Sequence, residues 1–213
     1  SNSLGLMMRS TILYRMVERI MRPREFDEGA VVDAVMRTFW RNGYAATSMN
    51  DLVEATGLSR STIYNSFGGK KTLFALALKE YRRVTTGTVA KISRSADVRG
   101  SLRALLISIV DDELSDHEGF GCFAANSSLE ISGRDPELSA LVAQHFQRLE
   151  SGLLRLLRHG QKTGEISPDQ DCQILSRYFV AVIQGIRVIS KGLPAASRQP
   201  YLHSIVEASI ATV

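Results

Sequence analysis

The side chains best suited to chemistry lie in one stretch, Ser48–Phe67, which reads SMNDLVEATGLSRSTIYNSF. Ser48 has Asp51 three residues on, the spacing of a capping box that opens a short helix. Gly57 suits a left-handed turn that other residues adopt only under strain. Ser59 then caps a second helix, and Ile63 anchors it on the first. That leaves Arg60, Ser61, Thr62, Tyr64, Asn65 and Ser66 on or near the outer faces. One cation, one aromatic and several short polar groups suit the base edges and phosphates of a DNA major groove. The spacing is that of a helix-turn-helix. Thr47 and Ser48, before the first helix, serve as caps or phosphate contacts, and Lys70 brings a charge and free backbone N–H groups to a phosphate.

Other chemistry finds little support. His117, His145, His159 and His203 fall in no HxxxH or HExxH grouping, which argues against a metal. Cys122 and Cys172 form no CxxC pair, so a disulfide framework and a cysteine zinc module are excluded and a reducing, cytoplasmic setting is expected. No G-x-S-x-G elbow or G-x-x-x-x-G-K-[ST] loop occurs, and Asp111, Asp112 and Glu113 fan around a helix instead of converging. No enzyme and no cofactor are expected.

The elements that position these residues are helical. The 213 residues are 44% apolar and 23% charged, which excludes disorder and leaves ample chain for a core. Residues 1–83 hold 13 Lys and Arg against 8 Asp and Glu, whereas residues 84–213 hold 13 against 14. A basic module facing nucleic acid, joined to a neutral one, fits this asymmetry. The periodicity predicts an all-α chain of about nine helices, with no credible strand. Apolar Val31, Val35, Met36 and Phe39 mark a helix over 27–42 that Gly43 ends, and Leu52, Val53 and Ala55 supply the buried side of the next. A fourth helix runs over 70–92. Five more are expected near 98–115, 120–132, 136–163, 168–190 and 198–211, with Asp135-Pro136 and Ser167-Pro168 signing two starts. The longest apolar runs are far short of a membrane span.

Residues 24–81 resemble the N-terminal domain of the TetR/AcrR family of transcriptional regulators. The resemblance rests on Phe39, Gly43-Tyr44, Thr47-Ser48-Met49, Leu52-Val53, Thr56-Gly57-Leu58-Ser59, Thr62-Ile63-Tyr64, Phe67, Lys70 and Leu73-Phe74. Gly121-Cys122-Phe123, Asn126, Glu130 and Asp135-Pro136-Glu137 look like one common type of ligand-binding domain of that family. The resemblance implies a one-component regulator, a repressor, that binds a pseudo-palindromic double-stranded operator as a homodimer and is released by a small organic effector. It divides the chain into an extension over 1–22 that begins with a tag scar, a DNA-binding domain over 23–69 and a ligand-binding and dimerisation domain over 70–213. Many members carry His or Tyr where this chain has Ser66, which weakens that phosphate contact. The rivals are an all-α enzyme and a helical adaptor that uses the C-terminal cavity without DNA.

For an apolar effector pocket the expected walls are Leu105, Ile109, Cys122, Phe123, Phe146 and Phe179, with Asn126 and His145 as polar anchors for a neutral or anionic ligand. For the dimer the expected surface is Leu175, Tyr178, Val182 and Ile186 with Leu202, Ile205 and Val206, where Gly185 allows close approach. Cys122 reads either as a small buried hydrophobe in line with Ala125 and Leu129, or as the reactive thiol that a Gly-Cys implies in some similar regulators. Arg9, Arg15, Arg19, Arg22 and Arg24 suit a minor-groove arm, whereas Leu13, Met16, Val17 and Ile20 suit a packed helix.

Overall fold

A computed structural model describes residues 26–92, 97–116 and 118–213, without the side chains of 86–92. The expectations for residues 1–22, the arginine lead and the Leu13–Ile20 stripe lie outside the described residues. The chain divides into two units between Val31 and Val32. The described residues contain nine helices and no strand. They are α1 (Glu28–Asn42), α2 (Met49–Thr56), α3 (Arg60–Phe67), α4 (Lys70–Ile92), α5 (Val98–Ser115), α6 (Phe123–Ile131), α7 (Pro136–Thr163), α8 (Cys172–Gly192) and α9 (Ala195–Ile210).

Local chemistry explains most boundaries. Val31, Val35, Met36 and Phe39 are all buried along α1. Ser48 and Asp51 form the expected reciprocal box at the start of α2. Of the three apolar residues assigned to the inside of α2, only Leu52 is fully buried. Val53 is half-buried and Ala55 exposed, because an eight-residue helix in a three-helix cluster offers the core little more than one turn of face. Asp135 accepts from the N–H groups of Glu137 and Leu138, and Pro136 costs nothing at the first helical position of α7.

Three starts differ from expectation. The helix expected from Pro168 begins at Cys172, because Asp171 accepts from Gln173 N at 2.8 Å and Ile174 N at 3.2 Å. Residues 167–170 instead form a turn whose Ser167 and Gln170 carbonyls accept from Gln161 Nε2. α6 begins at Phe123 instead of Phe120, since Asp116 accepts from the N–H groups of Gly119 and Gly121 and holds the chain in a loop. α9 begins at Ala195, and Pro200 lies inside it.

The main core forms where α5, α7, α8 and α9 meet, with Leu102, Leu106, Leu153, Leu156, Phe179 and Val206 fully enclosed. Burying each such side chain contributes roughly 1.5–3 kcal/mol. Phe39, Leu52, Ile63, Leu73 and Phe74 of α1 to α4 are fully enclosed as well, with Phe39 edge-on to Phe74. Among the described residues one ion pair is largely enclosed: Arg187 donates to Glu113 at 3.0 Å, and Ser190 donates to the other carboxylate oxygen at 2.8 Å.

The displaced start of α8 makes a clear prediction. Asp171→Ala should cost about 1 kcal/mol in urea unfolding, the ordinary loss for a capping side chain, while Ser167→Ala should stay within roughly 0.5 kcal/mol of the parent. The reverse order would return the helix start to Pro168.

Candidate nucleic-acid interface and cavity

The turn between α2 and α3 depends on Gly57, whose φ of 68° lets its N–H reach the Val53 carbonyl. Ser59 then caps α3 by accepting from Thr62 N at 3.1 Å. Ile63 and Phe67 pin α3 inward. Arg60, Ser61, Tyr64 and Asn65 are exposed, and Thr62 and Ser66 are half-buried. The expected set is therefore gathered on one short helix, although the hydroxyls of Ser61 and Thr62 already share hydrogen bonds with Ser59.

Around α3 the arrangement is more selective. Thr47 is 1% exposed and its hydroxyl donates to the Gly43 carbonyl at 2.6 Å, so it closes the α1–α2 turn and presents no free hydroxyl. Ser48 is exposed at the start of α2, and its hydrogen bonds hold the Asp51 carboxyl below the usual range. Lys70 reaches back to the Ala45 carbonyl at 3.3 Å and lies over the Tyr44 ring. Asn50 was not singled out from sequence, yet its side-chain carbonyl accepts from Arg60 at 2.9 Å and braces the one cation of α3. The spacing within α3 carried no sign of a partner ten residues upstream. Lys71, read as a plain surface lysine, pairs with Asp135 and Glu137 at the start of α7, and these partners raise its pKa.

Two joints tie this cluster to the C-terminal helices. Glu130 on α6 accepts from Tyr44 N at 3.1 Å and Ala45 N at 2.8 Å. Trp40 donates to the Phe120 carbonyl at 3.0 Å and stacks on the Phe120 ring. Asn126 also donates to that carbonyl and turns away from the cavity.

A cavity of about 320 Å³ lies among α4, α5, α7 and α8. Leu105, Ile109, Cys122 and His145 line it, as expected. Three aromatic walls do not. Phe123 is buried against Phe74 and Tyr81, Phe179 belongs to the main core, and Phe146 packs edge-on against His145. These rings pack into the interior, and the cavity is bordered by aliphatic side chains together with polar and charged ones. Its polar lining also includes Tyr81, Gln184, Asp112, Arg82, Arg148, Arg155 and Arg187, and periodicity alone gave no sign of them.

Cys122 is 3% exposed and sits at the N-cap of α6, where its Sγ accepts from Ala125 N at 3.4 Å and Tyr81 Oη at 3.6 Å. Leu129, expected on the same buried face, points to solvent. Burial, with Cys122 beside it, pushes the Tyr81 phenol well above its ordinary pKa. Burial opposes the charge of Arg187, but Tyr81, Cys122, Glu113 and Asp112 more than offset this and raise its pKa. His145 is pushed down to about 4 by burial and then by the Arg187 and Arg82 charges, so it is neutral near pH 7. No cluster of metal-ligating side chains occurs among the described residues.

The surface expected for a dimer divides in two. Leu175, Ile186, Leu202 and Val206 are buried within the protomer. Tyr178 is exposed, and Val182 and Ile205 are half-buried. With Ile174, Ala181, Ile189 and Tyr201 they form an outward apolar face of α8 and α9. Helical periodicity found both apolar faces but could not say which packed at home.

Comparison with known proteins agrees with this geometry. Residues 31–77 match the model for bacterial regulatory proteins of the tetR family, and residues 99–197 match a tetracyclin repressor-like C-terminal domain. The chain is 30% identical to the HTH-type transcriptional repressor ComR of Escherichia coli K12 over 80% of this chain and 82% of that protein. It is 32% identical to the HTH-type transcriptional regulator YezE of Bacillus subtilis 168 over 74% and 82% respectively. Among solved structures, a cysteine mutant of the TetR family regulator CifR complexed with a 26-base-pair operator DNA superposes with a TM-score of 0.75, at 25% identity over 89% of this chain and 98% of that one.

The lowered pKa of His145 sets a pH dependence. The unfolded imidazole titrates near 6.5, so acid protonates the unfolded chain first. Stability present above pH 6.5 should erode as pH falls towards 4 and then level off for this group, by on the order of 2–3 kcal/mol. Chemical denaturation of wild type and His145→Gln across this range should show that extra erosion in wild type alone. Parallel curves would contradict it.

Proposed function

This chain belongs to the TetR family of bacterial regulatory proteins, and from that premise we propose that it is a dimeric, effector-released transcriptional repressor. The observation that carries the DNA-binding half is the exposed polar face of α3, with Arg60 braced by Asn50. In this reading Arg60, Ser61, Thr62, Tyr64 and Asn65 read base edges, while Ser48, Ser66 and Lys70 meet phosphates. The family and its relatives ComR and YezE are transcription regulators, which favours this reading over the enzyme and the adaptor. A regulator of this kind works where the DNA is, in the cytoplasm.

The partner that the reading assigns to the outer apolar face of α8 and α9 is a second copy of the chain. Two α3 helices in such a dimer reach half-sites about 34–36 Å apart, and the operator is then a pseudo-palindrome. The effector enters the cavity and favours a form whose α3 spacing misses the half-sites. Weakening the operator complex 100-fold requires about 2.7 kcal/mol of differential affinity, within reach of a few contacts.

Two measurements test this. Operator affinity should fall steeply with salt as neutralised phosphates release counterions. Arg60→Ala should cost about 1–3 kcal/mol and relax base preference at one position, whereas Lys70→Ala should weaken all sequences alike and reduce the salt slope by about 1. Indistinguishable discrimination in the two variants would overturn the assignment. For the dimer, a Cβ on Gly185 would meet nothing within 4 Å inside the protomer. Gly185→Arg should therefore leave the fold intact, because Gly is the weaker helix former, yet sediment as a monomer. A normal dimer would put the mate elsewhere.

A further inference from the structure

We propose that the cavity takes a small aliphatic organic acid that carries a second hydrogen-bond donor, its carboxylate met by Arg148 and Arg155 and its donor by Gln184. The inference rests on reading the cavity as the effector site. Charge is the first argument. Four arginines and one aspartate line the space. Two of the four are occupied: Arg187 pairs with the enclosed Glu113, and Arg82 donates to Gln144. Arg148 and Arg155 stand seven residues apart on one side of α7, with Ser151 between them. Both are exposed, which puts them at the cavity mouth, and neither forms an ion pair with a described residue. Guanidinium groups match a carboxylate in geometry as well as charge. An amine is repelled by the same groups, and the neutral His145 adds no charge of either sign.

The second argument is an unmet polar atom. Gln184 lines the cavity, and its Oε1, buried at the edge of that lining, accepts no hydrogen bond from a described residue. Buried polar atoms are nearly always paired, so this carbonyl calls for a donor from whatever fills the space. A ligand hydroxyl or amide N–H supplies it. Size and lining complete the description. Leu105, Ile109, Leu149 and Ile183 give the ligand body an apolar wall. A cavity of about 320 Å³ is at the lower end of the range for small-molecule sites, which fits a medium-chain acid.

Calorimetry on the full chain without DNA tests this with octanoate, 3-hydroxyoctanoate, 1-octanol, octylamine and a long-chain acyl-CoA. 3-Hydroxyoctanoate should bind about tenfold tighter than octanoate, octanoate should bind more tightly than octanol, and octylamine should not bind. The double variant Arg148→Gln, Arg155→Gln should lose at least about tenfold for octanoate and nothing for octanol. Gln184→Leu should erase the advantage of the hydroxyl while octanoate still binds. Equal binding of octanol and octanoate, tighter binding of the acyl-CoA, or no binding of either acid overturns the proposal. Operator retention is measured separately. Acids that bind without releasing DNA overturn the effector reading and leave the cavity assignment standing, whereas acids that fail to bind a protein still released by another compound overturn the cavity chemistry alone.

Discussion

Where α1 ends, the N–H groups of Tyr44 and Ala45 have no helical acceptor, and one carboxylate takes both. Glu130 supplies it from α6, more than eighty residues away in sequence. A charged acceptor on two amides is stronger than a neutral one, and it fixes direction as well as distance. The approach is possible only because Gly43 has no side chain, since a Cβ there would lie 2.5 Å from Glu130 Oε1. Gly43 thus ends α1 and clears the way for the contact that holds the α1–α2 turn. Towards the other end of the nine-residue α6, about 10 Å from Glu130 by helical rise, Phe123 inserts its ring against Phe74 and Tyr81. One short helix is therefore held at both ends by the elements that carry α3.

The same residues border the cavity. Cys122 caps α6 and lines the open space, and the Tyr81 hydroxyl rests on its sulfur. The Tyr81 ring touches Trp40 of α1, Phe123 of α6 and His145 of α7. A molecule that shifts Tyr81 or Cys122 must disturb packing that reaches α1 directly. Spatial continuity does not itself create coupling, which requires two arrangements that ligand and DNA prefer differently. What the structure supplies is a short, closely packed path between cavity and turn, with few side chains free to absorb a displacement.

Local rules made much of this legible. The capping box at Ser48 and Asp51, the turn at Gly57 and the inward Ile63 depend on neighbours within a few residues, and each stands where its spacing placed it. What stayed hidden depends on partners far apart in sequence. Asp171 displaced Ser167 as a cap because residues 167–170 found better use for their backbone in a turn held by Gln161. Thr47 turned inward because Gly43 offered an acceptor. The cavity lining departed furthest, since Phe123 and Phe179 have the composition of a wall but the energetics of a core. Large apolar rings gain most by leaving no space beside them, so the open volume is bordered by smaller aliphatic side chains, arginines and Gln184 instead.

The two-faced character of α8 follows from the same preference for burial. Among the described residues it is the one helix long and apolar enough to cross a membrane by length and composition. Position resolves what composition cannot. Leu175, Phe179, Ile183 and Ile186 face the protomer core, and Ile174, Tyr178, Ala181 and Ile189 face outward. Arg187 lies between these faces, yet its charge is met by Glu113, whose other carboxylate oxygen accepts from Ser190. Lipid requires an apolar surface all round, whereas packing against a core on one side and a mate on the other requires two stripes separated by small and polar residues. Gly185 and Ala181 on the outer stripe leave room for another helix to approach, which suits the surface proposed above for a second copy of the chain.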